Sequence, residues 1–394
     1  MEKKEIAKLA HDVKTKENLL CLINRLKEEE MKAAGLSDKY CPFTIEQLDC
    51  YSAPNCNLYK QFQIRKKNGG FRLISAPKDY SFKMMLHYVN EILKAIYTPS
   101  IFANGFVEDR SVVDNAMVHQ GMNYIFNTDL KDFFPSIHRH RVCERLKCKP
   151  QNLNPEIAEV LSRLCSMMGG IPGKGTVPYI LPQGAPTSPI LSNMVCDKLD
   201  RRLGGLAKRF NLNYSRYADD ITFSSMHNVY QEDSTFRKRL SDIIETEGFA
   251  INKSKTRLQK RGSRQEVTGL VVNSKVNVSQ RYVRDIRNIL YIWDKYGYNT
   301  AYGRFFVKYK QDKGHIKKGI PGLSEVIRGK LLYLKMVKGE DDSTYRRLYA
   351  KYTSLMATRH DDSDSSQDTE AIINSDNAVD INQLIIDLEN LLIQ

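Results

Sequence analysis

Between residues 3 and 35, Ile6, Leu9, Val13, Leu19, Leu20, Ile23 and Leu26 recur at spacings near three and four among charged neighbours. That period predicts one amphipathic helix ending at Gly35. From Tyr59 to Ala76 the pattern shortens to brief runs around Gly69-Gly70 (YKQFQIRKKNGGFRLISAP), which predicts a β-hairpin stopped by Pro77. A helix over roughly Ser81–Tyr97, closed by Pro99, comes next. NYIFNTDLKDFFPSI reads as a strand broken at Pro135 and leading into a helix, and residues 150–168 as helical. The Gly/Pro-rich GGIPGKGTVPYILPQGAPTSP is a long loop; Ser188 and Pro189 then open a helix through Leu203 that stops at Gly204-Gly205. LNYSRYADDITFSS has strand chemistry on both sides of Ala218-Asp219-Asp220, so a hairpin with the aspartates at its tip is expected. A helix through about Glu247 and a short strand pair holding VTGLVV follow.

From Arg281 to Tyr352 the pattern is helical and basic, with Tyr282, Tyr291, Trp293, Tyr296, Tyr298, Tyr302, Phe305, Phe306 and Tyr309 interleaved among Lys and Arg. Residues 360–378 are a polar linker. The end, INQLIIDLENLLIQ, is amphipathic, with Ile381, Leu384, Ile385, Leu388, Leu391 and Leu392 on one face. This gives 1–58 as an N-terminal helical region, 59–270 as the core, 271–359 as a basic helical region and 360–394 as an acidic linker with a short helix.

Composition adds bounds. The 394 residues suffice for about two or three packed subdomains. No stretch approaches the roughly 18–20 apolar residues of a membrane span, and the N-terminus lacks a secretion signal, so a cytoplasmic protein without a membrane partner is expected. The eight cysteines are scattered with no C-x-x-C, and His138 and His140 are two apart, so neither a zinc site nor a disulfide framework is expected. The net charge is +14, but residues 361–394 hold nine Asp or Glu and no Lys or Arg; without those nine the rest stands at +23. A charge of that sign attracts a polyanion, and the plain alternative is a well-solvated basic surface.

Candidate chemistry centres on carboxylates. Nucleotidyl transfer uses divalent cations held by oxygen ligands, so carboxylates from separate strands must converge. Asp129 on one strand and Asp219-Asp220 on a hairpin supply such a group if those strands lie side by side; an acidic pair alone is otherwise an ordinary solvated turn.

Four strings in order, NTDLKDFFPSI (127–137), LPQGAPTSP (181–189), YADD (217–220) and GFAINKSKT (248–256), resemble motifs A to D of reverse transcriptases. Asn115-Ala116-Met117-Val118-His119 and Val267-Thr268-Gly269 resemble the N-A-x-x-H and V-T-G signatures of the bacterial retron enzymes. The resemblance covers about 59–270 closely and the region to about 352 more loosely. It implies an α+β right-hand polymerase with fingers, a palm of antiparallel sheet packed on helices, and a helical thumb.

By the same resemblance Asp129, the carbonyl of Leu130, Asp219 and Asp220 would hold two Mg²⁺ ions, with Mn²⁺ as the alternative. Phe134 would be the steric gate against a ribose 2′-hydroxyl, its alternative being a core Phe. Gln183, Gly184 and Tyr217 would line the incoming nucleotide. Arg72 and one of Arg65, Lys66 or Lys67 (Lys67 favoured) would grip its triphosphate, and Lys255, or its neighbour Lys253, would protonate pyrophosphate. Asn115, His119, Val267, Thr268 and Gly269 would serve RNA binding, although His119 also reads as a satisfied core histidine. The implied partners are a cognate structured noncoding RNA and its DNA product, dNTPs, a host ribonuclease H and a separate effector protein in anti-phage defence. Residues 360–394 would dock that effector or fold back on the chain itself. The rivals are another bacterial reverse transcriptase, of the group II intron or another defence type, and a non-catalytic RNA-binding scaffold.

Overall fold

The computed structural model describes residues 1–362 apart from 55, 66–68, 170–177 and 314–320. The expectations placed on Lys66 and Lys67, on residues 170–177 of the Gly/Pro-rich loop and on the acidic tail from 363 onward lie outside the described residues. The chain divides after Ser279 into two compact units.

The first unit begins with α1 (Lys3–Asp12), α2 (Lys16–Ala33) and α3 (Ile45–Ser52). The single N-terminal helix expected over 3–35 is therefore two. Val13 turns extended (φ −68, ψ 121), and Thr15 caps the new helix by accepting from Asn18 N at 3.3 Å. The periodic stripe runs through this break because both helices bury the same kind of face, including Ile6, Ala10, Leu19, Leu22, Ile23 and Leu26.

The hairpin β1 (Tyr59–Arg65) and β2 (Phe71–Pro77) is antiparallel, with Tyr59 opposite Pro77. Asp79 accepts from Phe82 N at 2.7 Å and so starts α4 (Tyr80–Ile96), whose apolar face (Phe82, Met85, Leu86, Val89, Ile92, Leu93) is fully buried. After α5 (Val112–Met117) come β3 (Tyr124–Asp129), α6 (Arg139–Lys147), α7 (Pro155–Leu164), β4 (Met167–Met168) and β5 (Tyr179–Ile180). The helix expected over 150–168 is shorter, because Met167 and Met168 pair with Ile180 and Tyr179.

Next is α8 (Ser188–Arg209), which continues through Gly204-Gly205 rather than stopping there. A Cβ on Gly204 would stand 2.4 Å from the Phe102 ring, so this glycine serves close packing inside a helix. β6 (Asn213–Tyr217), β7 (Asp220–Ser225), α9 (Thr235–Thr246), β8 (Arg257–Lys260), β9 (Glu266–Val267) and β10 (Leu270–Val271) complete the unit. Four strands form an antiparallel sheet in the order β6-β7-β3-β8, packed against α8 and α9 through one core that includes Phe126, Leu199, Leu203, Phe223, Phe236 and Leu240. An antiparallel sheet with α8 and α9 packed on one face makes an α+β fold, the arrangement expected for the palm, and the β1–β2 hairpin stands where the fingers were expected.

The second unit is helical: α10 (Gln280–Lys313, interrupted at Gly297 with φ 82), α11 (Leu323–Lys338) and α12 (Ser343–Asp362). Its aromatics divide into two sets. Trp293 is buried against Tyr298 and Tyr352, whereas Tyr291 and Tyr296 are exposed beside Lys295.

Between α5 and the sheet lies one internal polar joint. His119 is fully buried, with Nδ1 2.7 Å from Ser224 Oγ on β7 and Nε2 2.7 Å from Ser215 Oγ on β6. Burial pushes its imidazole down to about 3, so it stays neutral, donating from one nitrogen and accepting at the other. A histidine depressed in the folded state titrates near 6.5 once unfolded, so the unfolded chain binds the extra proton and stability is lost as pH falls from about 6.5 toward 3. Denaturant titrations across that window should show His119→Gln losing up to about 1.4 kcal/mol per pH unit less than the parent chain; parallel slopes would refute a neutral buried imidazole.

Candidate active site

β3 and β7 place the acidic residues together. Their antiparallel register sets Asp129 directly opposite Asp220, and Tyr217 pairs with Asp220 across the β6–β7 hairpin. Asp219 therefore stands in a two-residue turn with Ala218, and Asp220 opens the returning strand. Leu130 N donates to Asp219 O at 2.9 Å, fixing the strand bearing Asp129 to that turn. Ala218 holds φ 57, a conformation that costs a non-glycine residue about 1–2 kcal/mol.

What holds the turn is an internal ion pair. Arg216 is fully buried, donating from Nε and Nη2 to the two oxygens of Asp200 on α8, both at 2.7 Å. Its Nη1 donates to Asn193 Oδ1 at 3.0 Å and to the Ala218 carbonyl at 3.1 Å, and Tyr214 Oη donates to Asp200 Oδ1 at 2.8 Å. Sequence reasoning missed these residues. The available signal was a charge on the inward face of each element: Arg216 in register with buried Tyr214 on β6, and Asp200 two turns beyond Asn193 on a largely apolar helix face.

The segment 249–256 packs on the other side. Lys131 N donates to Ala250 O at 2.8 Å, Asn252 N to Asp129 O at 2.7 Å and Asn252 Nδ2 to Asp129 Oδ2 at 3.2 Å. Lys255 Nζ lies 2.9 and 3.0 Å from the two Asp129 oxygens. Of the two lysines weighed for that role, Lys255 is thus the one that reaches the carboxylates; Lys253 borders a separate cavity with Arg237 and Thr256.

Electrostatics at the site are unbalanced. Burial, then the neighbouring Asp129 charge, raises Asp219; burial, then Asp219 and Asp129, raises Asp220 to about 7. Among the described residues neither has an ion-pair partner. Arg72, exposed on β2, lies close enough to pull Asp219 down slightly. As placed, and with Asp129 engaged by Lys255, no group of three His, Cys, Asp or Glu among the described residues is gathered to hold a metal. The donor set nevertheless fits a hard divalent cation. It is all oxygen, and two of its carboxylates carry a charge that the protein leaves uncompensated.

The remaining candidates fall into two groups. Gln183 and Gly184 lie against the fingers: Ser75 N donates to Gln183 O at 2.9 Å, and a Cβ on Gly184 (φ 135) would stand 2.9 Å from Ser75 O. Phe134 is half-buried between Phe133 and Phe106, whereas Phe133 is in the core, stacked on Phe249. Asn115, His119 and Val267, expected to serve RNA binding, are buried against protein, and Asn115 accepts from Asn104 Nδ2 at 3.2 Å. Thr268 (φ 48) and Gly269 (φ 82) form the tight turn between β9 and β10, and Thr268 Oγ1 donates to Val112 O at 3.3 Å.

Comparison with known proteins gives one family. The profile described as "Reverse transcriptase (RNA-dependent DNA polymerase)" matches residues 64–276. The chain is 36% identical to Retron Mx162 reverse transcriptase of Myxococcus xanthus over 55% of this chain and 47% of that protein. It is 36% identical to Retron Mx65 reverse transcriptase of the same organism over 59% and 55%, and 39% identical to Retron Ec86 reverse transcriptase of Escherichia coli over 48% and 55%. It thus spans about half the length of these curated relatives.

Two outcomes follow for stability. A carboxyl raised in the folded state contributes stability that is lost as pH rises through its folded value, here from about 4 to about 7. In EDTA at pH 8, Asp220→Asn should therefore melt higher than the parent by at least about 2–4 °C, and Mg²⁺ should raise the parent's Tm but not the variant's. A lower melting point for the variant would contradict the charge imbalance. Conversely, Asp200→Asn leaves Arg216 buried and unpaired and should cost about 3–5 kcal/mol, read as a lowered urea midpoint.

Proposed function

The chain belongs to the reverse transcriptase family, and on that premise we propose that it is an RNA-directed DNA polymerase of the retron kind. It would copy a cognate structured noncoding RNA into DNA, starting from the 2′-hydroxyl of a guanosine in that RNA. The observation that carries the reading is the cross-strand placement of Asp129 opposite Asp220, with Asp219 in the adjoining turn. The retron assignment is supported by the three relatives just named and by the N-A-x-x-H and V-T-G strings around the palm.

Two divalent cations, Mg²⁺ or Mn²⁺, held by Asp129, the Leu130 carbonyl, Asp219 and Asp220, would supply activation of the attacking hydroxyl and stabilisation of the departing pyrophosphate. The chain's own groups do the rest. Gln183, Gly184 and Tyr217 line the incoming dNTP, and Arg72, with Lys67, neutralises its triphosphate. Phe134 excludes a ribose by its bulk. Lys255, which reaches Asp129, would carry a proton to the leaving group.

RNA binding draws on the basic body of the chain and on exposed aromatics of the second unit such as Tyr291, Tyr296 and Tyr349, which offer stacking faces to unpaired bases. Among the described residues no helix is long and apolar enough to cross a membrane. Anti-phage action with a separate effector, docked through residues 360–394, and template removal by a host ribonuclease H complete the proposed setting.

Expressing the chain with the DNA upstream of its gene should yield a small branched RNA–DNA molecule, trimmed by an enzyme specific for 2′,5′ linkages. Asp219→Asn with Asp220→Asn should lower its yield by about 10³-fold or more. A branched product that survives that double change would sink the mechanism, and a linear product from the parent chain would sink the retron assignment while leaving the polymerase.

A further inference from the structure

Residues 102–106 extend the palm sheet beyond its open edge. β6 ends the strand order, and on its outer side Arg216 N donates to Phe102 O and Asn104 N to Arg216 O, both at 2.8 Å, with Ala103 bridged in parallel to Arg216. Gly105 then passes directly against the turn that carries Asp219. A Cβ there would stand 2.5 Å from Ala218 N and 3.0 Å from the Tyr217 carbonyl carbon, both backbone atoms that cannot swing aside. The Gly105 carbonyl accepts from Asn193 Nδ2 at 2.9 Å, the same asparagine that accepts from Arg216.

The chain leaves this contact through Phe106, which has φ 60. A bulky residue in the left-handed region costs about 1–2 kcal/mol, and such strain persists only where its surroundings impose it. Phe106 is 46% exposed, so burial does not repay the cost in full. Its ring meets Phe134, with centroids 6.1 Å apart and planes at 41°. Phe134 touches Phe133 on its other side (5.3 Å); Phe133 stacks on Phe249 (5.8 Å), and the Arg141 guanidinium lies 4.6 Å over Phe249. Phe106 also borders a cavity of about 450 Å³ shared with Tyr97, Arg110, Pro186 and Ile190. The Gly105 contact thus fixes where its backbone stands, and its ring bears on Phe134 from a half-exposed position.

We propose that Phe106 is a positioning residue for sugar selection, propping the Phe134 ring in the orientation in which it meets a 2′-hydroxyl. Phe134 sits between two walls, the buried Phe133 stacked on Phe249 and Phe106, whose backbone follows the Gly105 contact with the Ala218-Asp219 turn. Without Phe106 the Phe134 ring can tilt toward the vacated side, and a ribonucleotide gains the room it lacked. This inference rests on the reading of Phe134 as the sugar gate.

The test is single-nucleotide extension of a DNA primer on an RNA template by the full chain, comparing kcat/KM for a dNTP with that for the matching rNTP. Phe134→Ala should cut the discrimination by about 100-fold and Phe106→Ala by about tenfold, mainly through a lower KM for the rNTP. Combining the two should reach only the Phe134→Ala level, since Phe106 acts through that ring. Phe106→Leu, which keeps bulk without the flat face, should lie between parent and alanine, and it carries the comparison if the alanine variant does not fold. Discrimination unchanged in both Phe106 variants while Phe134→Ala lowers it would overturn the inference and leave the gate standing. Multiplicative effects in the double variant would also overturn it. No change with Phe134→Ala would remove the gate and the inference together.

Discussion

The β3–β7 register sets Asp129 opposite Asp220, with Asp219 in the adjoining turn, so that the acidic charges act on one another. Main-chain hydrogen bonds set that register, so the strands would have to unpair to relieve the repulsion. The surroundings constrain the site without neutralising it. Arg216 lies closest to the turn by sequence, but its charge is taken up by Asp200, and it grips the turn only through the Ala218 carbonyl. Lys255 reaches Asp129 from an exposed position, where an ion pair contributes little and is readily exchanged. Asp219 and Asp220 have no ion-pair partner among the described residues, so burial and mutual repulsion shift both toward the protonated form.

Two glycines show how tightly backbone is gathered around that charge. Gly105 lies on the turn between β6 and β7, and Gly184 lies on Ser75 of the fingers hairpin; in each place a Cβ would collide with main-chain atoms. One close approach links the turn to residues 102–106, and the other links the 183–184 loop to β2. The proposed nucleotide site is thus framed by main chain from segments far apart in sequence. Side chains such as Arg72 and Phe134 need only project from that frame.

The elements of the candidate site were legible because they depend on local chemistry. Alternation and turn residues marked the β6–β7 hairpin, and the four motif strings marked the loop and strand around it. What escaped was decided by contacts between distant segments. Gly204-Gly205 reads as a helix stop, yet the Phe102 ring needs the space and the helix runs on to Arg209. The break at Val13 is invisible in a stripe that both helices share. Arg216, Asp200 and Asn193 are polar residues in a buried network, and no pattern of apolar spacing announces a charge whose partner lies on another element.

The N-A-x-x-H string shows why a short signature can be physically demanding. Asn115, Ala116 and His119 are all buried, while the two variable positions, Met117 and Val118, are 52% and 38% exposed. The letters that the signature fixes are therefore those that meet protein. Asn115 lies in α5 and His119 in the turn just beyond it, so Asn115 reaches Asn104 while His119 bridges Ser215 and Ser224. Those two serines belong to the strands that flank the Ala218-Asp219 turn, and Asn104 belongs to the segment that pairs with Arg216. A signature found beside the four motif strings is, in this fold, an internal joint of the first unit. Any nucleic acid that α5 contacts would meet Met117 and Val118 on its surface, held in place by the buried letters beneath them.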